Sequence, residues 1–125
     1  MSPATVYDAV GGEQFFVDLV DRFYVGVAAD PMLRPMYPDD LTDSKVHLWR
    51  FLVQYWGGPT TYSDERGHPR LRMRHAPFVI DQAARDAWFT HMSAALDAAE
   101  VSGDVELQMR SYFSMAADAM VNQES

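Results

Sequence analysis

The stretch Gly67–Phe78, GHPRLRMRHAPF, sets three arginines, Arg70, Arg72 and Arg74, before a single histidine, His75, with Pro69 and Pro77 on either side. The chain as a whole is acidic, with 18 Asp and Glu against 10 Lys and Arg and a formal net charge of -8. A local cationic block beside an isolated imidazole in such a chain asks for an anionic partner that also carries a metal. The other histidines, His47, His68 and His91, do not join His75 in the i, i+4 spacing of an all-histidine zinc site, and the nearest pair lies seven residues apart. No cysteine is present, which excludes disulfides, thiolate zinc sites, iron–sulfur clusters and thiolate-ligated haem. One histidine acting alone suits haem, whose porphyrin supplies four ligands and whose carboxylates match arginine. On composition alone a surface histidine in a solvated basic loop has equal weight.

Three polar-tipped aromatics shift that balance. Tyr24, Tyr37 and Trp88 fall at positions expected to be buried, where a hydroxyl or indole N–H needs a partner. One such residue is an ordinary core aromatic, whereas three together could converge on a bound polar ligand. His91, one turn after Trp88, reads as packed or surface-facing rather than as a ligand, and the eight methionines read as core filler rather than iron ligands.

The elements that must position these groups are helical. Of the 125 residues, 48% are hydrophobic, enough for a core in a single domain over 1–125. Phe15, Phe16, Leu19, Val20, Phe23, Tyr24 and Val27 recur at three- and four-residue spacing and predict a helix over 12–29, opened by Gly11-Gly12 and closed by Asp30-Pro31. A short turn over 31–36 follows. A second helix is expected to start with Thr42 or Asp43 as N-cap and to end at Gly57-Gly58-Pro59. Residues 59–69 read as a long polar loop, usually a functional feature in a compact domain, with a brief helix over 70–75. Asp81 caps a long helix through Ala99, and a last one runs from about Gly103 to Val121. No run alternates as a strand, so the class is all-α.

The excess of acid disfavours general nucleic-acid binding. No apolar run approaches a membrane span, and MSPATVYDAV lacks the pattern of a secretion signal, so a cytoplasmic protein is expected. There is no GxGxxG fingerprint for a flavin or nicotinamide, so any turnover needs a separate reductase. Phe16 and Met109 are candidate exposed apolar residues for a dimer face, and monomer and homodimer both stay open.

The motifs YDAVGG (Tyr7–Gly12), RFY (Arg22–Tyr24), LRPMYP (Leu33–Pro38), FLVQYWGGPTTYS (Phe51–Ser63), RGHPRLRMRHAPF (Arg66–Phe78) and RDAWFTHM (Arg85–Met92) resemble group II truncated haemoglobins, the truncated haemoglobin O type common in actinobacteria. The resemblance covers roughly residues 6–122. It implies a truncated globin, a two-over-two helical sandwich with its first helix reduced to a turn and a long loop before the proximal histidine. It implies haem b (iron protoporphyrin IX) with His75 as iron ligand. Tyr24, Tyr37 and Trp88 would face the opposite, distal side with Leu48 and Ser44, the latter where many globins gate entry with histidine. His47, Leu52, Tyr62, His68, Leu71, Arg72, Arg74, Phe78, Ile80 and Met92 would contact the cofactor, with Tyr62, His68, Arg72 and Arg74 near the propionates; Arg70 has no assigned role. Relatives often carry arginine where this chain has His47, which weakens one propionate clamp at neutral pH. The implied function is binding of dioxygen and other diatomic ligands, nitric oxide and carbon monoxide among them, at a five-coordinate iron with slow oxygen release. The alternative is a haem enzyme that detoxifies nitric oxide as a dioxygenase, or peroxide, with an external reductase. A sensor module ranks last.

Overall fold

The structure, a computed structural model, describes residues 5–60, 80–101 and 103–121. Five α-helices lie among the described residues, with a short 3-10 turn and no strand: α1 (Val6–Ala9), α2 (Glu13–Ala28), the turn Arg34–Met36, α3 (Thr42–Tyr55), α4 (Gln82–Ala99) and α5 (Gly103–Met120). The expected helices are present within a residue or two of their expected ends. The long loop and the brief helix over 70–75 lie outside the described residues.

Helix α2 is the hub. Its residues Phe16, Leu19, Val20, Phe23, Tyr24 and Val27 are buried, one stripe at i, i+3, i+4, i+7 spacing. It packs on α3 and on α4, and α4 packs in turn on α5. Phe16, Phe23, Phe113, Leu19, Leu52, Met92, Leu96 and Met109 are fully enclosed in one cluster. Truncating a core phenylalanine to alanine costs about 3–5 kcal/mol, so this cluster sets the helix arrangement. Polar ties between α4 and α5 fix their register: Arg85 Nε donates to Asp118 Oδ1 at 2.7 Å and its Nη2 to Ser114 Oγ at 2.8 Å, while Arg110 bridges Glu106 and Asp97.

The single turn α1 is held by its cap and by α3. Thr5 Oγ1 accepts from Asp8 N at 3.1 Å, and Tyr7 N donates to the Trp56 carbonyl at 2.9 Å. Gly57 makes that approach possible: its φ is +106°, and a Cβ there would sit 2.6 Å from the Thr5 side chain. As expected, Asp81 caps α4, its Oδ1 accepting from Ala84 N at 2.9 Å.

Two expectations are corrected. Helix α3 begins at Thr42 with Leu41, not Thr42 or Asp43, as its cap residue. The free amide of Thr42 is already taken by Asp40 Oδ1 at 2.9 Å, an Asx turn that does the work of a side-chain cap. Phe16 and Met109 are not exposed; both are 0% accessible. Phe16 lies parallel to the Tyr7 ring at 6.2 Å, so the α1 turn covers it. The exposed large apolar side chains among the described residues are Val25, Met32, Tyr55, Leu107 and Met115.

Candidate functional site

All four long helices and the turn after α2 enclose a cavity of about 540 Å³, within the usual 300–1,000 Å³ of small-molecule sites. Its walls are mostly hydrocarbon. Helix α3 contributes Ser44, His47, Leu48, Phe51 and Leu52; the turn contributes Leu33, Met36, Tyr37 and Pro38. From the far side come Ile80, Ala84 and Trp88 of the α4 segment, and Tyr112, Phe113 and Ala116 of α5. Arg85 reaches the wall too, its charge met by Asp118 and Asp86.

Tyr24, Tyr37 and Trp88 meet at this cavity from three different elements. The Tyr24 and Tyr37 rings stand edge to face, 5.5 Å between centroids, and Phe23 bridges Tyr24 and Trp88 at 5.0 and 5.3 Å. Burial pushes the Tyr37 phenol up to about 12, and a hydrogen-bonding pull from Trp88 onto its hydroxyl offsets part of that rise. Burial raises Tyr24 further, and the neighbouring Tyr37 adds to the shift. Both phenols therefore keep their protons at neutral pH and present O–H donors.

The turn that carries Tyr37 is built by two charged residues. Asp30 Oδ1 accepts from Met32 N at 2.8 Å, and Asp30 Oδ2 accepts from His91 Nε2 of α4 at 2.7 Å. The His91 hydrogen bond, then that of the Met32 amide, holds the Asp30 carboxyl below the usual carboxylate range. Arg34 spans the turn's exit: Nη1 donates to the Pro38 carbonyl at 2.9 Å and Nη2 to the Asp39 carbonyl at 2.8 Å. Gly26 lets His91 approach α2, since a Cβ there would lie 2.4 Å from His91 Nδ1. His91 is thus packed, as expected, and braces the turn.

Of the site residues expected from sequence, Tyr24, Tyr37, Trp88, Ser44, His47, Leu48, Leu52 and Ile80 line the cavity. Met92 does not: it is fully buried in the core, one helical turn beyond Trp88. His75, Tyr62, His68, Leu71, Arg72, Arg74 and Phe78 lie outside the described residues. Sequence reasoning missed Leu33, Met36, Phe51, Tyr112 and Phe113 on the wall, and Asp30 and Arg34 behind it. The Asp30-Pro31 pair was a usable signal for the turn; small residues at Ala84 and Ala116 were a weaker one for the space between α4 and α5.

An all-helical fold enclosing a largely apolar chamber, with neutral donors grouped on its wall, defines a ligand-binding helical protein of the globin kind. The chain belongs to the bacterial-like globin family, whose model matches residues 5–122. It is 42% identical over 117 residues to group 2 truncated hemoglobin YjbI of Bacillus subtilis, covering 94% of this chain and 88% of the relative. The crystal structure of hemoglobin from Chloroflexus aurantiacus matches with a TM-score of 0.94 and 53% identity, over 98% of this chain and 100% of that one. The group II truncated hemoglobin of Bacillus anthracis matches with a TM-score of 0.95 and 41% identity over the same shares. The fold is that of a truncated haemoglobin, and the family carries haem-based binding of diatomic gases such as dioxygen. Among the described residues no helix is long and apolar enough to cross a membrane. The cavity's volume and apolar walls fit the haem that the family implies.

Proposed function

We propose that the chain is a cytoplasmic haem b protein that binds dioxygen and releases it slowly, with His75 as the protein's iron ligand. The observation that carries this reading is the convergence of Tyr24, Tyr37 and Trp88 on one apolar cavity. Haem, when bound, would supply an iron able to bind a diatomic ligand. The chain's own part is to exclude water with Leu48, Phe51 and Leu52 and to present hydrogen-bond donors to the polarised gas. Hydrogen bonds to a charged acceptor contribute about 1.5–3 kcal/mol each, and each ~1.4 kcal/mol is tenfold in an equilibrium constant. Two such bonds, if expressed mainly in escape, slow release by orders of magnitude. Ser44 leaves the α3 wall open to entry. His47 lies on the same wall and by the family resemblance would meet a propionate. By the family resemblance, Arg72, Arg74, Tyr62 and His68 would hold the propionates, and Leu71, Phe78 and Ile80 would contact the cofactor.

The purified protein should show a Soret band and a five-coordinate ferrous spectrum, and His75→Ala should lose or scramble them. An unchanged spectrum in His75→Ala overturns the ligand assignment. A second reading, oxidation of nitric oxide to nitrate or reduction of peroxide with a separate reductase, is favoured by the oxidisable rings Trp88 and Tyr112 on the wall. Turnover faster than free haem with a reductase present supports it; turnover no faster leaves oxygen binding alone.

A further inference from the structure

Helix α4 holds the turn of Tyr37 at two points, and only one of them lies on the cavity wall. Trp88 pulls on the Tyr37 hydroxyl from the wall. His91, one helical turn further along α4, reaches the other end of the same turn, where its Nε2 lies 2.7 Å from Asp30 Oδ2. A carboxylate only accepts, so His91 donates, with a proton on Nε2. The ring is seated for this in the notch left by Gly26 of α2, where a Cβ would stand 2.4 Å from Nδ1. From Asp30 a run of hydrogen bonds leads on to Tyr37. Asp30 Oδ1 accepts from Met32 N at 2.8 Å, and the Asp30 carbonyl accepts from Arg34 N at 2.9 Å. The Leu33 carbonyl accepts from Met36 N at 2.9 Å, and the Arg34 carbonyl from Tyr37 N at 3.2 Å.

We propose that His91 is a positioning residue for ligand binding: through Asp30 it fixes where the Tyr37 hydroxyl stands, and so how firmly a diatomic ligand is held. This rests on the reading that the cavity holds haem and that Tyr37 is a donor to its ligand. The Asx turn at Asp30 needs no partner from outside, because the Met32 amide closes it locally. What His91 adds is a tether across 61 residues of sequence, from the turn to the helix that carries Trp88. The tether therefore sets the turn's place relative to Trp88 rather than the turn's own shape. A hydrogen bond weakens steeply as its angle closes and its length grows, so a small displacement of Tyr37 loosens its hold on a ligand. Neither His91 nor Asp30 lines the cavity. Removing the tether leaves the chemistry of the wall intact and changes only its placement.

The test uses the carbonmonoxy holoprotein, whose C–O infrared stretch falls when a neighbouring donor hydrogen-bonds the ligand, together with oxygen dissociation by stopped flow. His91→Phe keeps a ring in the notch and removes the donor. It should move the stretch in the direction set by Tyr37→Phe and speed dissociation several-fold. His91→Gln, which restores an N–H donor, should recover much of both. Because the effect runs through Tyr37, His91→Phe should add nothing to Tyr37→Phe in the double variant. Asp30→Ser gives an independent reading that leaves α4 untouched, since serine still accepts within the turn but is too short to reach His91. It should reproduce the stretch and rate of His91→Phe, and it decides the matter if His91→Phe folds poorly. A stretch and rate unchanged in Asp30→Ser overturns the inference, as does a double variant in which the two effects add in full. Those results, with Tyr37→Phe itself shifted, overturn this inference alone. A stretch unmoved in Tyr37→Phe overturns the donor reading as well, and a wild type that binds no haem overturns the haem reading with it.

Discussion

Tyr37 is the residue on which the distal arrangement turns. It shares an edge-to-face contact with Tyr24 and a hydrogen-bonding interaction with Trp88, so its hydroxyl is shared between the wall and any ligand in the cavity. Tyr37→Phe and Trp88→Phe should each speed oxygen dissociation at least several-fold in stopped-flow measurements. Equal rates in both variants and the wild type would place the donors elsewhere. The raised phenol ionisation has its own consequence. With Tyr37 near 12 and Tyr24 higher, neither becomes a phenolate between neutral pH and about 10, so oxygen release should show no step from them in that range. A titration of phenolate absorbance should leave both protonated until well into alkali.

The turn after α2 is the element that delivers Tyr37, and it is held from outside the cavity. Arg34→Ala removes the donors to the Pro38 and Asp39 carbonyls and should quicken oxygen release without removing a cavity-lining side chain, measured against Arg34→Lys as the conservative control. Gly26→Ala forces a Cβ to 2.4 Å from His91 Nδ1. It should lower stability by about 1–3 kcal/mol in urea titration, the range for overpacking. Asp30 supplies the acid limit of this brace. Its folded carboxyl titrates below the ordinary value of 3.8, so it binds fewer protons folded than unfolded. Its contribution is therefore complete above the unfolded value and is lost as pH falls through the lower, folded one. The stability gap between wild type and Asp30→Asn should shrink as the pH falls below about 4.

At the scale of the molecule, the cavity lies among all four long helices and displaces core that would otherwise be solid. A group that binds only the folded chain adds RT ln(1 + [L]/Kd), about 2.7 kcal/mol at a hundredfold excess over Kd. Extracting haem from the holoprotein should therefore lower the melting temperature, and adding it back should restore the loss. No change on extraction would mean that the group does not occupy this core.

Helical period, with Gly11-Gly12 and Asp30-Pro31 as stops, was enough to place α2, α4 and α5 to within a residue or so, and the Asp81 cap was legible because its hydrogen bond closes three residues away, at Ala84. The cap of α3 was misread because Asp40, outside the periodic run, takes the amide first. Tyr24, Tyr37 and Trp88 stood out in the sequence as polar-tipped aromatics at apolar positions, and the family resemblance gave them a common purpose. What periodicity cannot supply is the partner of each face. Met92 shares the helix of Trp88, yet one turn carries it from the cavity wall into solid core, while Tyr112 reaches the wall from α5, a helix from which no site residue was expected. Phe16 and Met109 looked free until a neighbour covered them. The sequence by itself determined which stretches coil and which side chains can donate. Only the tertiary structure decided which of them share a cavity, because a cavity is bounded by side chains far apart in the chain and exists only once the helices have packed.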